Sequence, residues 1–136
     1  MTTTHTILIV DDEAHILQVL SLKLRNRGYI VVTAVDGEDA LHQVKSCRPD
    51  LIISDVQMPY MNGLEFATAL SSDPVTAHIP IVILTARGHT LETTDTDIPN
   101  VRKVLSKPFS PRGIAELVSK LLSDVTAQQV GNSKAA

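Results

Sequence analysis

The sequence contains one cysteine, Cys47, so no disulfide can form within the chain, and it contains no tryptophan. Aromatic residues make up only 3% of it against 43% hydrophobic residues, so any core must be aliphatic. At 136 residues the chain is about one domain long and can bury such a core without disulfide or metal staples. The five histidines are scattered singly, with no cysteine cluster and no H-x3-H spacing, which argues against a zinc site. A basic stripe is also missing: 12 Lys and Arg against 15 Asp and Glu leave a formal charge of −3, and a nucleic-acid partner is not expected. No apolar run approaches the roughly 18 residues of a membrane span. The opening Met1-Thr2-Thr3-Thr4-His5 lacks the basic start of a signal peptide. A soluble, cytoplasmic domain is the expectation.

What the chain does have is alternation. Five short apolar runs punctuate it: Ile7 to Val10, Ile30 to Thr33, Leu51 to Ser54, Ile81 to Leu84 and Val101 to Ser106. The first, third and fourth are continuously apolar and rich in β-branched residues, as strands buried on both faces of a parallel sheet must be. Helical spacing fills the gaps. Ile16, Leu20 and Leu24 recur every four residues, with Gly28 placed to stop that helix. Asp36 is positioned to cap a second helix carrying Ala40, Leu41 and Val44, and Asn62-Gly63 precedes a third with Leu64, Ala67 and Leu70. Ser110-Pro111 opens a last one with Ile114, Leu117, Val118 and Leu121. Between the fourth and fifth runs, His89 to Pro99 holds four Thr and two Asp but only two aliphatics, so a helix there is short or irregular. Strand and helix alternate, which reads as a doubly wound α/β sheet. The domain is expected over residues 6–123, between a polar arm (1–5) and a flexible tail (124–136) in which periodicity is lost.

In such a sheet, ligands bind beyond the carboxyl ends of the strands. The first run ends in Asp11-Asp12-Glu13, the third in Asp55, the fourth in Thr85 and the fifth in Lys107, while the second ends in unreactive Ala34-Val35. Each residue alone has an ordinary explanation, since Asp at a strand-to-helix junction is often just a cap. Together they do not, because clustered carboxylates repel unless a cation offsets them. All-oxygen ligation without His or Cys points to a hard ion, and carboxylates that leave room for water and a phosphoryl oxygen suit Mg²⁺. An Asp beside that ion is able to attack phosphorus and become an acyl phosphate, with Lys107 and Thr85 on the phosphoryl oxygens.

Four motifs carry a resemblance: Ile7-Leu-Ile-Val-Asp11-Asp12-Glu13, Asp55-Val-Gln-Met58-Pro59-Tyr-Met61-Asn-Gly63, Leu84-Thr85-Ala86 and Lys107-Pro108-Phe109. In this order, each at a strand end, they make the chain similar to the response regulator receiver family of two-component signalling, from about Thr6 to Leu122. The resemblance implies a flavodoxin-like, five-stranded parallel sheet of order 2-1-3-4-5 and a single-domain receiver of the chemotaxis type. It implies phosphorylation on Asp55, with Mg²⁺ held by Asp11, Asp12, Asp55 and the backbone carbonyl of Gln57. Thr85 and Lys107 are implied as phosphate ligands, and Ala86 as the small residue that leaves a path for the donor. The implied partners are a histidine kinase or histidine phosphotransfer protein as donor and a downstream protein as target, with the chain a monomer or weak dimer.

One departure stands out: Val104 occupies the position, three residues before the site lysine, where this family usually carries Tyr or Phe. A stiff valine offers no long lever to follow Thr85. Two other functions share part of this residue set. A pseudo-receiver scaffold would not need the intact set of Asp11, Asp12, Asp55, Thr85 and Lys107. A Mg²⁺-dependent aspartyl phosphatase needs a general acid close after its nucleophile and a cap over its substrate. Gln57 stands two residues after Asp55, and no insertion is long enough for a cap. The chain is therefore expected to catalyse only its own phosphoryl transfer and hydrolysis.

Overall fold

Each of the five apolar runs folds as a β-strand. In the computed structural model, which describes residues 4–57, 61–85, 98–106 and 109–135 (for 124–135 the backbone alone), these are β1 (Thr6–Val10), β2 (Ile30–Ala34), β3 (Leu51–Asp55), β4 (Ile81–Thr85) and β5 (Val101–Ser106). The helices are α1 (Ala14–Asn26), α2 (Gly37–Cys47), α3 (Gly63–Ser71) and α4 (Pro111–Ala135). All pairings are parallel, in the order β2-β1-β3-β4-β5. That is the expected flavodoxin-like order.

Every residue of β3 and β4 is buried, as their unbroken apolar runs require. Alternation then divides the side chains between two cores. Ile7, Ile9, Leu51, Ile53, Val82 and Leu84 face Leu20 and Leu24 of α1 and Ile114 and Val118 of α4. Leu8, Val10, Ile52, Ile81 and Ile83 face Ala40 and Val44 of α2 and Phe66, Ala67 and Leu70 of α3. Each fully buried aliphatic side chain contributes about 1.5–3 kcal/mol relative to exposure, so the middle three strands are the rigid part of the molecule. Their carboxyl ends inherit that rigidity.

The edges are managed differently. On β2, the Arg25 guanidinium donates to the outward Val31 carbonyl at 3.2 Å, covering one of the groups another strand would seek. On β5 the pairing runs Ile81 with Val101 and then Val82 with Lys103, so Arg102 is an extra, bulged residue. Arg102 and Lys103 are consequently both exposed, and two charges on an edge discourage pairing with another chain.

The caps at Asp36 and Ser110 lie where the sequence places them, and α3 adds one at Asn62. The Asp36 carboxylate accepts from Asp39 N at 2.8 Å. Asn62 and Glu65 form a reciprocal capping box with bonds of 2.8 and 3.1 Å. The Ser110 hydroxyl accepts from Gly113 N at 3.1 Å just ahead of the proline that begins α4. Gly28 ends α1 at φ +94°, a conformation that L side chains rarely adopt. Cys47 is half-buried at the end of α2, and burial pushes its thiol up from its ordinary value.

One boundary differs from the sequence reading. Helix α4 continues to Ala135, whereas the apolar period stops near Ser123. The physical reason is propagation: once a turn is nucleated on the core by Ile114 and Val118, residues such as Ala127, Gln128 and Gln129 extend it without an apolar face. The weak segment expected over His89 to Pro99 falls mostly outside the described residues. Its end is seen, where Val101 N donates to the Ile98 carbonyl at 3.1 Å and leads into β5.

Gly113 offers a direct test of helix energetics in α4. A Cβ there would meet only the Ser110 side chain, at 3.5 Å, an ordinary contact. Gly113→Ala is expected to raise stability by about 0.5 kcal/mol in urea unfolding through the restricted unfolded chain. A loss of stability would show that the first turn of α4 is more crowded than described.

Candidate functional site

The site begins where β1 runs out. Asp11 N donates to the Ala34 carbonyl at 3.1 Å, continuing the β1–β2 ladder one residue past the strand. Its side chain is therefore held as firmly as a strand residue, 0% exposed, and its Oδ1 accepts from Glu13 N at 2.9 Å. Asp12 follows and is exposed. On the neighbouring strand Asp55 is the last residue of β3 and only 4% exposed, and its Oδ1 accepts from Gln57 N at 3.3 Å. The next main-chain amide, Val56 N, donates to the Leu84 carbonyl at 2.9 Å and ties the end of β3 to β4.

One ligand oxygen from each of Asp11, Asp12 and Asp55 lies within 4.8 Å of the others. Two ionised carboxylates at such a separation repel by about 3 kcal/mol at an effective dielectric constant of ~20, so the sheet holds Asp11 and Asp55 together against their charge. The donor set fits a divalent ion. It is all oxygen, from carboxylates alone, which is the ligand chemistry that hard divalent ions such as Mg²⁺ take.

Thr85 ends β4, is buried, and donates its hydroxyl to the Leu105 carbonyl at 3.4 Å. It is in register with Ser106 of β5, the residue immediately before Lys107. Lys107, together with Ala86 and Arg87, lies outside the described residues. Gln57 is exposed just past Asp55. Val104 is half-buried, in register with Ile83, and packs on the core shared with α2 and α3. The structure thus brings Asp11, Asp12 and Asp55 together, with Thr85 at the end of the adjoining strand.

Sequence reasoning missed the role of Gly63. The residue was visible in the Asn62-Gly63 pair that precedes the third helix, but its importance is tertiary. A Cβ on Gly63 would lie 2.3 Å from the Asp55 carbonyl oxygen and 3.1 Å from its carbonyl carbon. The start of α3 is pressed against the backbone of Asp55 itself, and Gly63 N donates to the Val56 carbonyl at 2.9 Å. Backbone cannot rotate away as a side-chain tip can. Gly63→Ala should therefore cost about 1–3 kcal/mol of stability in urea unfolding, the range for overpacking. A neutral substitution would show that α3 and β3 are free to separate.

A family model described as the response regulator receiver domain matches residues 7–119. The phosphate regulon transcriptional regulatory protein PhoB of Pseudomonas aeruginosa is 36% identical over 130 residues, which is 96% of this chain and 56% of that protein. The alkaline phosphatase synthesis transcriptional regulatory protein PhoP of Bacillus subtilis is 36% identical over 116 residues, 85% of this chain and 48% of that one. Among solved structures, the chemotaxis response regulator CheY4 of Vibrio cholerae superposes with a TM-score of 0.79 at 35% identity, covering 87% of this chain and 98% of that one. The chain spans about half the length of the curated relatives it matches.

Proposed function

We propose that this chain, which belongs to the response regulator receiver family, accepts a phosphoryl group on Asp55 and signals through altered contacts with another protein. The observation that carries the reading is the convergence of three carboxylates within 4.8 Å, two of them buried, at the end of a sheet whose next strand ends in Thr85. No general acid follows Asp55 within two residues, since Gln57 stands there, which favours a switch over a phosphatase acting on outside substrates.

In this reading an Asp55 carboxylate oxygen attacks phosphorus. A P–O bond to Asp55 forms while the bond from phosphorus to the donor breaks, and the donor, an imidazole of a phosphohistidine protein or a small carboxylate, leaves with its electron pair. Asp11, Asp12, Asp55 and the Gln57 carbonyl would hold Mg²⁺, which when bound neutralises charge on the phosphoryl oxygens. The buried Thr85 hydroxyl and the Lys107 ammonium would take up the remaining oxygens by hydrogen bond and charge. The phosphate adds about two negative charges at neutral pH, and it shifts the domain only as far as its two conformations differ in how they bind that charge.

The donor implied by this chemistry is a histidine kinase or histidine phosphotransfer protein. Among the described residues no helix is long and apolar enough to cross a membrane. PhoB and PhoP are named as transcriptional regulators, a property of those longer proteins. In this chain the formal charge of −3 favours a protein partner for the domain itself. Intact-mass measurement with acetyl phosphate and Mg²⁺ tests the proposal. Wild type is expected to gain one phosphoryl group, and both Asp55→Asn and removal of Mg²⁺ by EDTA to abolish the gain. An unmodified wild type, or a modified Asp55→Asn, contradicts it.

A further inference from the structure

Gly37, the first residue of α2, is buried against Met61 in the loop that follows Asp55. A Cβ on Gly37 would lie 2.7 Å from Met61 Cβ and 3.0 Å from its Cγ and Sδ. The closest atom is at the root of the methionine side chain, so rotating the thioether tip would not make room. Either the loop or the helix start would have to move. We infer that the Gly37–Met61 contact positions the aspartate site, by setting the spacing between the strand end that bears Asp11 and the loop that follows Asp55.

The connections on both sides of the contact support this. On one side Met61 is two residues from Gly63, whose Cα abuts the Asp55 carbonyl. On the other, the first turn of α2 is fastened to the end of β2. Val35 N donates to the Asp39 carboxylate at 3.3 Å, and Asp39 N donates to the Asp36 carboxylate at 2.8 Å. Ala34, one residue earlier, accepts from Asp11 N at 3.1 Å. A closed ring therefore runs from Asp11 through β2, the start of α2, Gly37, Met61 and Gly63 to Asp55. At Gly37, as at Gly63, one methyl group would force neighbouring parts of that ring apart. The ligand oxygens of Asp11, Asp12 and Asp55 lie within 4.8 Å of one another, so a shift of either half of the ring changes the distances an ion would have to bridge.

The inference rests on the phosphoacceptor reading for its meaning but is decided by metal affinity. A double-mutant cycle of Gly37→Ala and Met61→Gly isolates the contact, since glycine at 61 removes the atoms that the new methyl would strike. Mg²⁺ affinity by isothermal titration calorimetry and the rate of modification by acetyl phosphate are the readouts, with unfolding curves run alongside. Gly37→Ala is expected to weaken Mg²⁺ binding about tenfold and to slow modification in the Met61 background, and to change affinity less than about threefold when residue 61 is glycine. A residue that serves packing alone would lower stability and leave the affinity of the folded protein unchanged. That result, or an equal effect of Gly37→Ala in both backgrounds, overturns the inference. If Gly37→Ala is too unstable to purify, Met61→Gly alone decides. It opens the same contact and should weaken Mg²⁺ binding, and wild-type affinity would overturn the inference. A wild type that binds Mg²⁺ yet takes no phosphoryl group contradicts the phosphoacceptor reading, while the affinities still decide the role of Gly37.

Discussion

Carboxylates in water keep apart, and the arrangement of this protein depends on a sheet that prevents it. Asp11 and Asp55 are each anchored as extensions of central strands, buried, and with Asp12 have oxygens within 4.8 Å of one another. Their mutual repulsion makes the site a demand for positive charge. In the proposed reading a hard divalent ion and the Lys107 ammonium would answer that demand, and a phosphoryl group would meet a place where its own charge is matched.

The sheet resists that repulsion because its middle strands are buried on both faces. Side chains of β1, β3 and β4 alternate between the core under α1 and α4 and the core under α2 and α3, so moving one aspartate-bearing strand end disturbs both layers. The loops add finer control. Two glycines, 37 and 63, allow the segment after Asp55 to lie against helix starts on either side, closer than any side chain permits. Rigid strands thus supply coarse position, and glycine contacts supply the last ångström.

Much of this was legible in the sequence because it follows from local pattern. Ile7 to Val10 and Leu51 to Ser54 become strands within one residue of their apolar limits, since unbroken β-branched runs fit a doubly covered sheet. Asp36 and Ser110 were readable as caps because a short polar side chain next to an apolar helix has one main use. The aspartate cluster followed from putting strand ends on one edge. What local pattern does not carry is distance between segments remote in sequence. Nothing around Gly37 announces Met61, and nothing around Gly63 announces the Asp55 carbonyl. The run of α4 on to Ala135 was not readable for the opposite reason: helix propagation past the core leaves no apolar period to read. At Val104 the sequence signals a departure, and the structure shows a half-buried valine packed beside Ile83, where side-chain bulk and not a swinging ring sets the local packing.

The crowding of carboxylates is tested most directly by linkage between metal and folding. Thermal unfolding should be followed in MgCl₂ and in KCl of equal ionic strength, for wild type and for Asp12→Asn, whose exposed position leaves the core intact. Wild type is predicted to gain several degrees in MgCl₂ beyond the KCl control, along a saturating single-site curve, and Asp12→Asn to lose most of that gain. An equal rise in both salts, or a gain that Asp12→Asn retains in full, would contradict a divalent ion held by these carboxylates.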